Sequence, residues 1–311
     1  MKQLFLISFY NTFFVFAYGQ PLANYSQGND NNFFWQEYHQ PFILESAGQN
    51  DVRSIAVDQF SNIWIATAAG IFKKDKDGST WSHVIDENER GPGYAVLADN
   101  HTGVWLATWN GVYHYKDNKL RKIDGVDAPI SVLCKSKEGI YALGPKGVWL
   151  YGNDHFQKKN YSIARSVQNA ITDGNGGLWI ATKVGLYHCS QKTTTLYNNT
   201  TQLISAYVED VSLNSDGQLW AVGLGGVSIR QGEKMIKTLT PQNGLPTVYA
   251  TCIVMAPDGS MWVGTQKGIV RYETDGTHSL RFSRRWLVND DVKDISFDTE
   301  GNAWIATSGG V

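Results

Sequence analysis

Apolar residues in this chain fall in short runs separated by tight polar turns. Runs such as Val52-x-x-Ile55-x-Val57 and Val292-x-x-Ile295-x-Phe297 lead into a polar turn. Those turns include residues 58–62, Asp173-Gly174-Asn175-Gly176, Asn214-Ser215-Asp216-Gly217 and Asp298-Thr299-Glu300-Gly301. Asp or Asn followed by Gly between two β-rich runs marks a hairpin. A third run follows, such as Val112-Tyr113-His114-Tyr115 or Ile269-Val270-Arg271-Tyr272, then a more variable fourth, such as residues 79–85 or 278–283. The pattern predicts strand–turn–strand units of four short strands. No sustained 3.6-residue apolar period predicts a long helix beyond the first 19 residues.

The units repeat. Trp64-Ile65-Ala66-Thr67 with Gly70-Ile71 returns as Trp105-Leu106-Ala107-Thr108 with Gly111-Val112 and as Trp179-Ile180-Ala181-Thr182 with Gly185-Leu186. It returns again at Trp220, Trp262 and Trp304, and in a degenerate copy at Tyr141. The anchors stand 36 to 42 residues apart, and in all seven copies a Gly lies six residues after the aromatic. Four strands in about 40 residues is one blade of a β-propeller. The expected fold is therefore all-β: a seven-bladed β-propeller of four-stranded antiparallel blades over residues 33–311, with the last blade incomplete. The repeated Trp is expected to wedge between blades, the Gly to permit close backbone approach, and the Asp to form an Asx-turn.

Val311 falls where the third strand of the last unit begins. Residues 33–38, Phe-Phe-Trp-Gln-Glu-Tyr, are the expected outermost strand of that blade, which would remove an exposed edge. A third strand is still missing, so the chain is expected to be a piece of a longer protein. At the other end, residues 1–19 read as a signal peptide: a short basic start, a largely apolar stretch, and small residues at Ala17 and Gly19. An uncleaved anchor is the alternative, but the stretch is short of the ~20 residues that cross a bilayer. Residues 20–32 are polar and read as a flexible lead-in. The expected location is periplasmic or secreted. Asn24, Asn100, Asn160, Asn198 and Asn199 open Asn-x-Ser/Thr tripeptides, relevant where secreted proteins are glycosylated.

Composition supports the β reading and narrows the partners. The 311 residues include 31 Gly, 11 Trp and 15 Tyr but 4 Met, and the charged fraction is 18 %. Lys and Arg number 27 against 29 Asp and Glu, a formal charge of −2. That balance gives no reason to expect nucleic acid or an anionic membrane surface as partner. A membrane is expected only through a missing C-terminal part. Cys134, Cys189 and Cys252 are too few and too widely spaced for a disulfide scaffold or a metal signature, although a Cys134–Cys189 bridge stays open.

The phrase in residues 256–272, Ala-Pro-Asp-Gly-Ser-Met-Trp-Val-Gly-Thr-Gln-Lys-Gly-Ile-Val-Arg-Tyr, resembles the two-component regulator propeller repeat. The resemblance covers roughly residues 50–311, with local departures at Pro257 and in the Tyr141 copy. It implies the extracytoplasmic sensor propeller of hybrid histidine kinases and related proteins, often a sensor of glycans or their breakdown products. No kinase or DNA-binding segment follows here, so signalling output is carried over by analogy.

The chemistry is spare. None of the seven histidines forms an H-x-x-x-H or similar ligand spacing. His114 and His188 share a strand position held elsewhere by Lys73, Leu150, Ile229 and Arg271, which reads as a strand face. Nucleophile elbow, phosphate loop and dinucleotide fingerprint are all absent. Glu209-Asp210 and Asp290-Asp291 are sequence neighbours that would face opposite ways on a strand. No catalytic residue, metal or cofactor is assigned, and enzyme activity is left open, leaning against it.

A ligand is expected at the mouth of the wheel, lined by the loops entering each first strand and joining strands two and three. Counting thirteen or fourteen residues back from each anchor reaches Asn50, Asp51, Asp127, Arg165, Tyr207, Tyr249, Asp290 and Asp291. The other loops carry Trp109-Asn110, Lys146, Lys183 and Lys267. Aromatic rings beside polar groups suit a sugar or other polar ligand. The candidate site is Trp109, Asn110, Arg165, Lys183, Tyr207, Tyr249, Asp51 and Asp291, for a small-molecule or oligosaccharide ligand. The alternatives are a secreted scaffold for a protein partner, or the accessory propeller of a glycan-active enzyme.

Overall fold

The structure is a computed structural model that describes residues 25–26, 33–34, 39–99, 103–190, 192–198, 202–282 and 285–311. The expected signal segment and Asn24, Asn100 and Asn199 lie outside the described residues. The chain divides into a unit of residues 1–41 and a unit of residues 42–311. In the first, Tyr25–Ser26 pairs antiparallel with Phe33–Phe34.

The second unit is all-β, and the four-strand period is realised as six antiparallel sheets of four strands plus one of two. Blades 1 to 6 cover residues 52–86, 93–123, 132–159, 167–197, 208–239 and 250–281, each with its strands in sequence order. The two-stranded sheet pairs Val292–Phe297 with Ala303–Thr307. The seven first strands neighbour one another in order, and Val292–Phe297 returns to Val52–Val57, so they form a closed inner ring.

Burial follows from position in the blade. Second strands such as Ile63–Thr67 and Met261–Thr265 are buried at every residue, because neighbouring sheets cover both faces. Fourth strands such as Lys234–Leu239 are largely exposed. The core is a cycle of clusters between consecutive sheets. Trp64, Ile71 and Ile85 of blade 1 meet Val96, Leu106 and Tyr113 of blade 2. Ala306 of the two-stranded sheet meets Val52, Ile55 and Phe72 of blade 1.

The anchors wedge between blades as expected. Trp64 meets Tyr115 of the next blade at 4.8 Å between ring centroids, and Trp105 meets Tyr151 at 4.7 Å. The turn Asp does more than shape its turn. Asp58 accepts from Phe60 N and Asn62 N, each at 2.9 Å, and from Trp64 Nε1 at 2.9 Å. In blade 4, Asp173 instead bonds His188 Nε2 at 2.9 Å, and His188 stacks on Trp179 at 4.2 Å. Arg271 bridges Asp258 and lies over Trp262 in blade 6. The varied strand-face column thus clamps the anchors. The repeated Gly is required by geometry: Gly70 has φ +110, and a Cβ there would lie 1.9 Å from the Ile85 carbonyl oxygen.

Beyond the two-stranded sheet, the last residue of the chain pairs with a segment near the start of the same unit. Phe33–Phe34 pairs with Tyr25–Ser26, and residues 35–38 lie outside the described residues. Phe42 is the residue that pairs with Val311, with N···O distances of 2.7 and 3.0 Å. Its ring stacks on Trp304 at 5.5 Å. All three cysteines are free and buried, so the Cys134–Cys189 bridge is not formed.

Candidate functional site

Six of the seven inner strands carry a register shift at one position: Val52/Ser54, Gly93/Ala95, Val167/Asn169, Val208/Asp210, Ala250/Cys252 and Val292/Asp294. A β-bulge leaves one residue unpaired and re-aims its side chain. Two consecutive residues of each strand therefore line the central channel instead of one. The bulge residues Arg53, Tyr94, Gln168, Glu209, Thr251 and Lys293, with Ser131 just before the unbulged strand Val132–Lys135, form an outer layer. All seven are half-buried. Beneath them lie Ser54, Asn169, Asp210, Cys252 and Asp294, with Ala95 and Val132. The cavity so lined is about 510 Å³.

The lower layer also holds the ring together. An inner strand presents its free edge to the channel, and its N–H groups need acceptors. Asp294 Oδ2 accepts from Ile55 N of blade 1 at 2.9 Å, and Ser54 Oγ accepts from Val96 N of blade 2 at 3.3 Å. Asp210 Oδ2 accepts from Ile253 N of blade 6 at 2.7 Å, while Oδ1 accepts from Val211 N and Asn169 Nδ2. Burial pushes the Asp210 carboxyl up to about 8, against its hydrogen bond from Ile253 N and with the help of nearby Asp294. Burial raises Asp294 to about 6. The same burial, beside these two carboxyls, keeps the Cys252 thiol well above its ordinary range.

The loop-face turns are rigid platforms. In the repeated Thr-x-x-Gly, the hydroxyl donates to the Gly carbonyl: Thr67 to Gly70 at 3.2 Å, Thr108 to Gly111 at 3.2 Å, Thr265 to Gly268 at 2.8 Å. The same oxygen accepts the amide two residues on, as from Asn110 N at 3.1 Å. Trp109 stands on such a turn, 55 % exposed, with its own amide donating to Pro92 O. Together with Asn110, Tyr94, Tyr113, Pro129, Pro145 and Lys146 it lines a largely apolar groove of about 730 Å³ between blades 2 and 3. Tyr94 and Ser131 line both cavities, so groove and channel meet there.

The predicted residues divide accordingly. Asp51 and Tyr249 line the channel, and Trp109 and Asn110 the groove. Tyr249 donates its hydroxyl to Glu209, and burial reinforced by that bond raises its pKa, so it stays a neutral phenol. Tyr207 lies 6.1 Å from Tyr249 ring to ring, and Lys183 Nζ lies 5.6 Å over Tyr207, which places both at the rim. Asp51 pairs with Arg53 at 3.2 Å, and that guanidinium lies 5.2 Å over Tyr94. Asp291 lines neither cavity but pairs with Lys293, which lines the channel, at 2.7 Å. Arg165 is exposed and lines neither.

Counting thirteen or fourteen residues back from the anchors passed over the outer layer, which stands eleven back in every bulged strand. Glu209 and Asp210, expected to face opposite ways, both face the channel because of the bulge.

The pattern that defines the family "Two component regulator propeller" matches residues 244–267, the inner and second strands of blade 6 with the loop before them. Residues 244–267 thus carry one copy of the two component regulator propeller repeat. Its fold is shared with the extracellular domain of BT3049 of B. thetaiotaomicron, described as a hybrid two component system. That match has a TM-score of 0.72 at 18 % identity, over 84 % of this chain and 39 % of that one. The extracellular domain of BT4673, described as a one component system from the same organism, matches with a TM-score of 0.72 at 15 % identity, over 87 % and 39 %. The chain thus spans about two fifths of those chains. Virginiamycin B lyase from Staphylococcus aureus matches with a TM-score of 0.68 at 14 % identity, over 87 % and 96 %. At such identities the likeness is one of fold. Comparison with curated proteins finds no match.

Proposed function

We propose that this propeller is the extracytoplasmic ligand-sensing part of a two-component-type signalling protein, and that it binds a small polar ligand or glycan at the loop face. The observation that carries the reading is the bulged inner ring. It turns a second residue of six strands into the channel, and the outer layer so made is polar, half-buried and mixed in charge. Next to it lies an aromatic groove, where a sugar face stacks while the ring supplies hydrogen bonds. The extracellular domains that share the fold support the location outside the cytoplasm. In this reading the two-stranded sheet is the inner half of a seventh blade.

A protein partner is the second reading. It is favoured by exposed Val184, Leu224 and Val248, which belong to the same loop face near Tyr207 and Tyr249.

The test is calorimetric titration with neutral, acidic and amino oligosaccharides. Trp109→Ala with Tyr249→Ala weakens binding of the ligand found by about tenfold or more, a loss of about 1.4 kcal/mol, with little change in thermal stability. Unchanged affinity in the double variant refutes the site.

A further inference from the structure

Blade 1 ends in a cluster that the ligand reading does not use. Its outer strand Trp81–Asp86 runs into the short helix Glu87–Arg90, and His83, Asp86 and Glu87 converge there. One ligand atom from each side chain lies within 4.8 Å of the other two. The histidine's tautomer follows from its surroundings. His83 Nε2 is 3.0 Å from the Ala69 carbonyl oxygen, which can only accept, so Nε2 carries the hydrogen. In the neutral ring the Nδ1 lone pair is then bare. Nδ1 faces Asp86 Oδ2 at 3.9 Å, beyond hydrogen-bond distance but suited to a cation between them. The ring is fixed in this pose by stacking on Phe72, with centroids 4.2 Å apart and planes 6° apart.

A ring nitrogen that donates to a backbone carbonyl while the other faces open ligands is the supporting arrangement of a metal-binding histidine. Asp86 divides its oxygens in the same way. Oδ1 accepts from Asn88 N at 2.8 Å and Asn88 Nδ2 at 3.0 Å, which leaves Oδ2 toward His83.

We propose that His83 Nδ1, Asp86 and Glu87 bind a divalent transition-metal ion of the zinc class. One imidazole and two carboxylates form a borderline ligand set, and the exposed position leaves further coordination sites to water or a ligand. Histidine-only spacings miss it, because the partners are carboxylates three and four residues on. The metal has a structural consequence. The helix leads through Gly91 and Pro92 to Trp109: a Cβ on Gly91 would lie 2.7 Å from Trp109 Cβ, and Pro92 O accepts the Trp109 amide. A bound ion pins the segment on which Trp109 rests.

Tag-free full chain is titrated with zinc chloride by calorimetry and with cobalt(II) by visible absorption. The expected result is one saturable equivalent, with affinity lowered about tenfold or more in His83→Ala and in Glu87→Gln, both folded by circular dichroism. Absence of stoichiometric uptake by the wild-type chain overturns the proposal. So does uptake that both variants retain at full affinity.

Discussion

Replacing Trp64 by Ala tests how the ring is held together. Trp64 is 1 % exposed, packs against Tyr115 of blade 2 and is tied through Nε1 to Asp58. A buried Trp removes roughly 150–250 Å² from water. At about 25 cal/mol per Å² that is roughly 4–6 kcal/mol, an upper figure because the unfolded chain is partly compact. Trp→Ala in cores costs about 3–5 kcal/mol. The lost hydrogen bond adds little, since Asp58 Oδ2 keeps Asn62 Nδ2 at 3.0 Å. The expected loss is therefore about 3–5 kcal/mol, read from urea unfolding with fluorescence and circular dichroism. Phe60→Ala is the control. Phe60 sits in the same turn but is 69 % exposed, so it changes stability by less than about 0.5 kcal/mol. A Trp64→Ala loss below about 1.5 kcal/mol, or equal losses in the two variants, refutes the wedge.

Asp210 gives a pH signature. Its carboxyl holds a proton to about 8 in the fold but to about 4 when unfolded. The native state binds more protons between those values, so the stability this group adds is complete below about pH 4 and lost as pH rises through 8. Asp210→Asn removes that decline, and unfolding curves from pH 5 to 8 that run parallel in the two proteins contradict it. Gly70→Ala drives a Cβ into the Ile85 carbonyl and lowers stability by more than about 2 kcal/mol. Gly152→Ala meets nothing within 4 Å and costs less than about 1 kcal/mol; similar losses by urea titration would remove the close-approach argument.

The architecture was legible because a propeller must repeat its scaffold. Trp at the anchor and Gly six residues on recur in blade after blade, and Asp58, Asp173 and Asp298 each accept the amides two and four residues on, so their chemistry surfaces as a period. The site was legible only by face. Trp109 and Tyr249 were reached because loop residues carry variation, but the channel layer was passed over. Its signal was present: Val52-x-x-Ile55 and Val208-x-x-Val211 place two residues between core positions where a regular strand has one. Read as simple alternation, that spacing hid the bulge and sent Glu209 and Asp210 to opposite faces. Arg165 lies on the loop face by the same count but outside both cavities, since a loop count fixes where a residue begins and not where its side chain comes to rest. The pairing of Phe42 with Val311 was not legible, because it spans nearly the whole chain.

The central claim is that the loop face, at the channel mouth, is where this propeller takes its ligand. Backbone hydrogen exchange with and without saturating ligand tests it most directly. The account predicts slowed exchange at residues 51–54, 92–94, 109–110, 129–131 and 249–251, with the turns at 58–62 and 257–260 unchanged. Protection confined to those turns would place the ligand on the opposite face and contradict the account.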